Sequence, residues 1–129
     1  MMNTTILVAV TDIFFYTKVR DALRPMGYTL ERIRNQDEVA DQAASVSPAA
    51  LIVNMNDLAV DAYKALETIR ANPALRALPI LAFANHEEVD TWRRAKELGV
   101  TKVVSRNEFS SRTKELVEEL IHPQLSAQP

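Results

Sequence analysis

The chain has 129 residues, 47% of them hydrophobic and 25% charged, which is typical of one soluble domain with a single core. Two glycines and no cysteine exclude glycine-rich phosphate loops, disulfides, thiolate nucleophiles and cysteine-based zinc sites. The net charge of −2, with both signs interspersed, provides no basic surface for nucleic acid or an anionic membrane. No apolar run has membrane-spanning length and no signal-peptide pattern is present, so we expect a cytoplasmic protein.

Short apolar runs alternate with amphipathic helical patterns along the chain. The runs lack polar alternation, which is typical of strands buried on both faces, except for the second, which has the mixed composition of an edge strand. Asn85 and Glu88 have the spacing of a capping box and predict the start of the fourth helix. In chain order, the predicted strands are 6–10, 29–33, 50–55, 80–83 and 102–104, and the helical patterns cover 14–26, 39–46, 62–69, 85–98 and 109–121.

This alternation predicts a parallel sheet with helices on both faces. Five β–α units suit a flavodoxin-like (βα)5 three-layer α/β sandwich with strand order 2-1-3-4-5. We expect residues 1–123 to form one domain and residues 124–129 to form a short polar tail. The functional crevice of such a fold lies beyond the carboxyl ends of the strands. The residues expected there are Val10, Thr11, Asp12, Asn54, Met55, Asn56, Asp57, Ala84, Asn85, Ser105 and Arg106.

Four segments carry a resemblance to a known family. They are ILVAVTD at 6–12, LIVNMN at 51–56, ALETIRANPALRALPIL at 65–81 and AKELGVTKVVSR at 95–106. With them, the chain resembles the receiver domains of two-component response regulators, and is closest in layout to the stand-alone chemotaxis type. Ala84 and Arg106 follow Asn54 by 30 and 52 residues, the offsets at which receivers place a switch hydroxyl and a lysine after their phospho-accepting aspartate. The resemblance implies a flavodoxin-like fold and a role in phosphorelay signal transduction.

The residues that carry the family's chemistry are nevertheless replaced. The resemblance assigns the phospho-acceptor position to Asn54, the metal-holding acid pair to Val10 and Thr11 with Asp12 one step beyond, the switch position to Ala84 and the lysine position to Arg106. An amide is a poor nucleophile and forms no acyl phosphate, and magnesium prefers sites with carboxylates. The sequence therefore predicts a degenerate pseudo-receiver that has no catalytic residue, metal or cofactor and is not an enzyme.

Structural roles are the simpler interpretation of the remaining polar residues. We expect Asp12 to cap the first helix and Arg106 to pair with Asp12 or Asp57. Asn54 is expected to hydrogen-bond across the crevice, in imitation of an unphosphorylated acid. Thr11 is expected to bond to nearby backbone.

A protein partner is expected on the face formed by the fourth helix, the fifth strand and the fifth helix, at Val89, Trp92 and Val103, or on the first helix. The sequence leaves open whether Trp92 lies at an interface or in the core. Tryptophan is frequent at binding hot spots, but Val89, Trp92 and Ala95 also have the spacing of an inward helix face. Of the adjacent Phe14 and Phe15, one is expected in the core and the other in space left by missing polar groups.

The leading prediction is a phosphorylation-independent signalling adaptor that acts by protein–protein interaction. No output domain is expected after the fifth helix, and a homodimer is allowed but not selected. One alternative is a phosphorelay receiver that uses a displaced acid, Asp57 or Asp12. Another is a sensor that binds a small ligand in the emptied crevice.

Overall fold

A computed structural model describes residues 4–123. Within this range five strands alternate with five α-helices, as the sequence predicts. The strands are β1 (Thr5–Ala9), β2 (Thr29–Arg32), β3 (Ala50–Asn54), β4 (Ile80–Ala84) and β5 (Lys102–Ser105). The helices are α1 (Ile13–Leu23), α2 (Gln36–Val46), α3 (Ala62–Ala71), α4 (Val89–Glu97) and α5 (Arg106–Ile121). Residues 124–129, the predicted polar tail, lie outside the described residues.

The strands form one parallel sheet in the order β2-β1-β3-β4-β5, which confirms the predicted flavodoxin-like α/β fold. β2 lies at one edge and has alternating exposed and half-buried residues, as its mixed composition predicts. Every residue of β3 and of β4 is buried. Since all five strands run in one direction, the loops that follow them gather at one edge of the sheet, here called the carboxyl edge.

The hydrophobic core consists of two layers, one on each face of the sheet. On one face Leu7, Leu51 and Ala82 pack against α2, α3 and α4. On the other face Ile52 and Phe83 pack against α1 and α5. The alternation of side chains along each strand sends neighbouring residues to opposite layers, which is why these strands are apolar without interruption.

Several helix boundaries differ by a few residues from the sequence prediction, and the fourth and fifth helices show two differences with a structural cause or consequence. The fourth helix begins at Val89 rather than at Asn85, and Glu88 is its N-cap without a side-chain capping bond. No capping box forms, because the Glu88 side chain bonds to Asn56 of another loop. The last helix is interrupted at Arg112, where φ is −129° and ψ is 28°. Pro25 follows the end of α1 in a short 3-10 turn, and Gly27 closes that turn with φ of 94°.

The helices of residues 4–123 are too short or too polar for any of them to cross a membrane.

Candidate functional site

The carboxyl edge is held together by a bond between the loop after β1 and the loop after β3. The Thr11 N–H donates to Asp57 Oδ2 and the Thr11 hydroxyl donates to Asp57 Oδ1, both at 2.7 Å. The same Oδ1 also accepts the N–H groups of Ala59 and Val60 at 2.9 and 3.0 Å. The prediction that Thr11 bonds to nearby backbone is therefore wrong, since its hydroxyl reaches a side chain 46 residues away.

These bonds favour the ionised form of Asp57. Burial by itself raises the pKa of this carboxyl group, because the interior disfavours charge. The hydrogen bonds from Thr11, Ala59 and Val60 outweigh burial and lower the pKa of Asp57 below its ordinary value. The group is thus a structural anion that joins two loops.

Asn54, at the position of a receiver's phospho-acceptor, is 4% exposed. Its Oδ1 accepts the N–H of Asn56 at 2.9 Å, which is a local turn of the kind that asparagine side chains favour. The hydrogen bond across the crevice that the sequence predicts for Asn54 does not form at this oxygen, which bonds within its own loop. The amide instead shapes the start of the loop after β3.

Asn56 joins that loop to the loop after β4. Its Nδ2 donates to Glu88 Oε2 at 2.6 Å, and its Oδ1 accepts the Asn85 N–H at 3.0 Å. The sequence places Asn56 in the crevice but indicates no partner for its side chain, because neither the spacing nor the residue type points to a residue about thirty positions away. Thr11–Asp57 and Asn56–Glu88 together connect the loops after three adjacent strands.

Arg106 occupies the lysine position but forms no salt bridge with Asp12 or Asp57. Its guanidinium carbon lies 5.0 Å from the ring centroid of Phe15 and 5.9 Å from that of Phe83. Both distances fit a cation–π contact. The predicted pairing with a carboxylate is therefore wrong, since the half-buried guanidinium is placed against aromatic rings instead.

Those rings belong to a stack of three aromatic side chains. Phe15 of α1 and Phe109 of α5 each lie 4.6 Å, centroid to centroid, from Phe83 of β4. Phe15 and Phe109 are 5.5 Å apart. Phe15 is the inward member of the phenylalanine pair, as expected for one of the two, whereas Phe14 is 85% exposed and fills no space in the crevice.

The residues that the resemblance assigns to a metal site do not fit a magnesium ion. Val10 is fully buried and offers no side-chain oxygen. The Thr11 hydroxyl donates to Asp57 Oδ1, and Asp57 Oδ2 accepts the Thr11 N–H, so these oxygens are already engaged. Asp12 caps α1, as predicted, by accepting the N–H groups of Phe14 and Phe15 at 3.0 and 3.2 Å. Within residues 4–123, no group of three or more acidic or histidine side chains is arranged to hold a metal ion.

Arg32, at the end of the edge strand β2, is a further member of the site that the sequence did not indicate. Its side chain donates to the carbonyl of Val10 at 3.3 Å and also to the carbonyl of Thr11. These bonds satisfy backbone acceptors where β1 ends. Its guanidinium also lies 5.4 Å from the Tyr16 ring centroid.

The three predicted partner residues have different environments. Val89 is 74% exposed, so it belongs to a surface and not to the inward face of α4. Trp92 is half-buried, packs against the core and donates its Nε1–H to the Asn85 carbonyl at 3.0 Å. Val103 is 7% exposed and lies in the core, so its assignment to a partner surface is wrong.

No family model and no curated protein sequence matches the chain. Solved structures do match. A proposed response regulator from Chloroflexus aurantiacus has a TM-score of 0.82 at 21% identity, with 93% of this chain and 98% of that chain covered. A response regulator receiver domain from Bermanella marisrubri has a TM-score of 0.81 at 14% identity, with 94% and 100% covered.

The receiver domain of a sensor histidine kinase from Pseudomonas aeruginosa, with magnesium coordinated in its active site cleft, has a TM-score of 0.79 at 18% identity. It matches over 93% of this chain and 98% of its own. The chain therefore has the fold of response regulator receiver domains, as the resemblance implies.

Proposed function

We infer that this protein is a signalling adaptor with a receiver fold, which acts through protein–protein interaction in two-component signal transduction and transfers no phosphoryl group. The observation that carries the inference is the Thr11–Asp57 pair, because it turns the crevice carboxylate into a loop anchor. A cytoplasmic location and the absence of enzymatic activity belong to the same proposal.

Chemistry supports the proposal at the acceptor position. Phosphoryl transfer to a receiver-type site needs a carboxylate nucleophile and a cation that neutralises charge on the transferring group. Asn54 offers an amide, and its Oδ1 already accepts the Asn56 N–H. Val10 and Thr11 supply no carboxylate for a cation.

The rival proposal, a displaced phospho-acceptor, has Asp57 as its strongest candidate. Four donors hold the Asp57 carboxylate, so attack by one of its oxygens would require some of those bonds to break. Asp12 has one oxygen committed to capping α1. The ligand-sensor alternative is also weakened, because the Arg106 guanidinium already lies over the ring of Phe15.

Intact mass spectrometry tests the proposal directly. The full chain is incubated with acetyl phosphate and magnesium beside a receiver of known activity, and samples are measured before and after hydroxylamine treatment. We expect the active receiver to gain a hydroxylamine-labile phosphate and this chain to keep its mass. A labile adduct on wild-type protein, mapped to Asp57 or Asp12, would replace the adaptor proposal with the displaced-acceptor proposal.

A further inference from the structure

Four large hydrophobic side chains are exposed within residues 4–123, and all four lie in loops or first helical turns at the carboxyl edge. Leu58 is 102% exposed, Phe14 85%, Val89 74% and Ile13 51%. We call these four residues the apolar rim. Exposed apolar residues scattered singly need no explanation, but a set confined to one edge of a domain is typical of an interaction site.

The hydrogen bonds of the crevice connect the loops that carry the members of the rim. Leu58 follows Asp57, which binds Thr11 two residues before Ile13. Val89 follows Glu88, which accepts from Asn56 in the same loop as Leu58. Hydrogen bonds between polar side chains thus connect the three loops that carry the apolar residues of the rim.

The α4–β5–α5 face offers less apolar surface. Val103 is buried, and Trp92 packs inward with its indole N–H bonded to a carbonyl of the protein. Of the three residues predicted there, Val89 alone is largely exposed, and it belongs to the rim. The large exposed apolar side chains therefore lie at the carboxyl edge rather than on the α4–β5–α5 face.

The charge around the rim is acidic and indicates the chemistry of its partner. The segments 11–14, 55–61 and 85–90 contain six carboxylates and neither lysine nor arginine. Five basic residues lie near these segments: Arg32 and Arg106 contact crevice residues, and Lys64, Arg93 and Arg94 follow the segments in sequence. Arg32 is bonded to carbonyl groups and Arg106 lies over Phe15, while Arg93 pairs with Asp90 at 3.3 Å. Acidic charge therefore exceeds basic charge around the apolar residues.

We propose that the apolar rim binds a segment of a partner protein whose apolar side chains are flanked by lysine or arginine. Apolar anchors supply affinity in such an interface, and complementary charge supplies orientation and a faster association rate. This inference rests on the proposed adaptor function, and it names the surface and the chemistry of the partner.

Selection from a random-peptide library on the immobilised full chain, followed by anisotropy titration of the selected peptides, tests the inference. We expect selected sequences to combine apolar residues with lysine or arginine. Leu58→Ser and Phe14→Ser should each weaken binding about tenfold, as for central interface residues. Leu58→Met, which keeps an apolar side chain, should bind like wild type, as should Ala77→Ser at an exposed position before β4.

Charge gives an independent measurement. The Glu87 side chain is 85% exposed, so Glu87→Lys alters the rim's charge without disturbing the core. We expect this variant to bind the selected peptides several-fold more weakly than wild type and to show a smaller salt dependence of binding. Acidic or uncharged selected peptides, no selected peptide at all, or equal binding by Leu58→Ser and Leu58→Met would overturn the inference.

Two controls distinguish partner binding at the rim from self-association and from phosphorylation. Sedimentation equilibrium of wild type and Leu58→Ser detects self-association, and a dimer abolished by Leu58→Ser would overturn the choice of a partner protein in favour of a second copy. Acetyl phosphate treatment of the same samples tests the adaptor function separately, because Leu58, Phe14 and Glu87 donate no bond to Asn54 or Asp57. If peptide binding at the rim is not found, the result of the acetyl phosphate treatment is unaffected.

Discussion

The guanidinium of Arg106 lies 5.0 Å from the ring centroid of Phe15, at a place where receiver-type chemistry would need a free cation. A cation over an aromatic face is attracted by about 0.5–1 kcal/mol at partly exposed sites. The site's positive charge is thus used to hold α1 and α5 together. Arg106 and Asp57, two charged groups of the crevice, therefore both serve the scaffold.

The Arg106–Phe15 contact is measurable in a double-mutant cycle. We expect Arg106→Gln and Phe15→Leu to be coupled by about 0.5–1 kcal/mol in urea unfolding, because either change alone removes the cation–π contact. Arg34→Gln, an exposed arginine outside the stack, should show no coupling with Phe15→Leu. Strictly additive effects of Arg106→Gln and Phe15→Leu would show that the contact has no energetic weight.

Asp57→Asn should destabilise the protein by about 1–3 kcal/mol. The substitution replaces one acceptor oxygen by an NH2 group, which then faces the N–H or hydroxyl of Thr11 without an acceptor. Urea denaturation measures the change, with Asp41→Asn on the exposed side of α2 as the control, expected within about 0.5 kcal/mol of wild type. Equal midpoints for Asp57→Asn and Asp41→Asn would contradict an anchoring role.

At acidic pH the wild type should lose its higher free energy of unfolding relative to Asp57→Asn. The pKa of Asp57 is lower in the folded state than the unfolded value of about 3.9, so its contribution to stability is present above that value. That contribution is lost as the pH falls through the lowered, folded-state pKa. The difference in unfolding free energy between the two proteins should stay constant from neutral pH to about 4 and shrink below it. A difference that does not change on acidification would mean that Asp57 is not ionised.

Asn54→Asp alone should not accept phosphate from acetyl phosphate. The new carboxylate would have no acidic neighbours at Val10 and Thr11 to hold magnesium, and charge on the transferring group would stay uncompensated. Intact mass with and without hydroxylamine checks this expectation, beside a variant that adds Val10→Asp and Thr11→Asp. A labile adduct on the single variant would show that the site needs no acid pair.

Asn56→Asp should loosen the loop between β4 and α4. The carboxylate that this change introduces would face Glu88 Oε2, which lies 2.6 Å from Asn56 Nδ2 in the wild type. We expect a loss of about 0.5–1.5 kcal/mol and a shift of Trp92 fluorescence, since Trp92 bonds to Asn85 of that loop. Combining Asn56→Asp with Glu88→Gln exchanges donor and acceptor and should restore both signals. Unchanged fluorescence in the single variant would show that the bond does not position the loop.

Residue types and local patterns are enough to specify the fold and the residue types that stand at the positions that the resemblance assigns to receiver chemistry. Apolar runs at β3 and β4 and the strict alternation of strands with helical patterns are local signals, and together they indicate a parallel sheet. Likewise, the presence of an amide at position 54 or a methyl group at position 84 is read directly from the residue type. The capping role of Asp12 was predictable because its donors are two and three residues away.

The contacts among the crevice residues depend on the tertiary structure. Thr11 is distant in sequence from Asp57, and Asn56 is distant from Glu88. From the sequence alone, each of these side chains has several possible polar partners. The actual partner is decided only when the strands fix the positions of the loops. The same holds for Val89 at the start of α4 and Val103 inside β5, because an apolar residue is buried or exposed according to the elements that pack over it. Packing of the whole sheet decides between those environments, and no local pattern records the outcome.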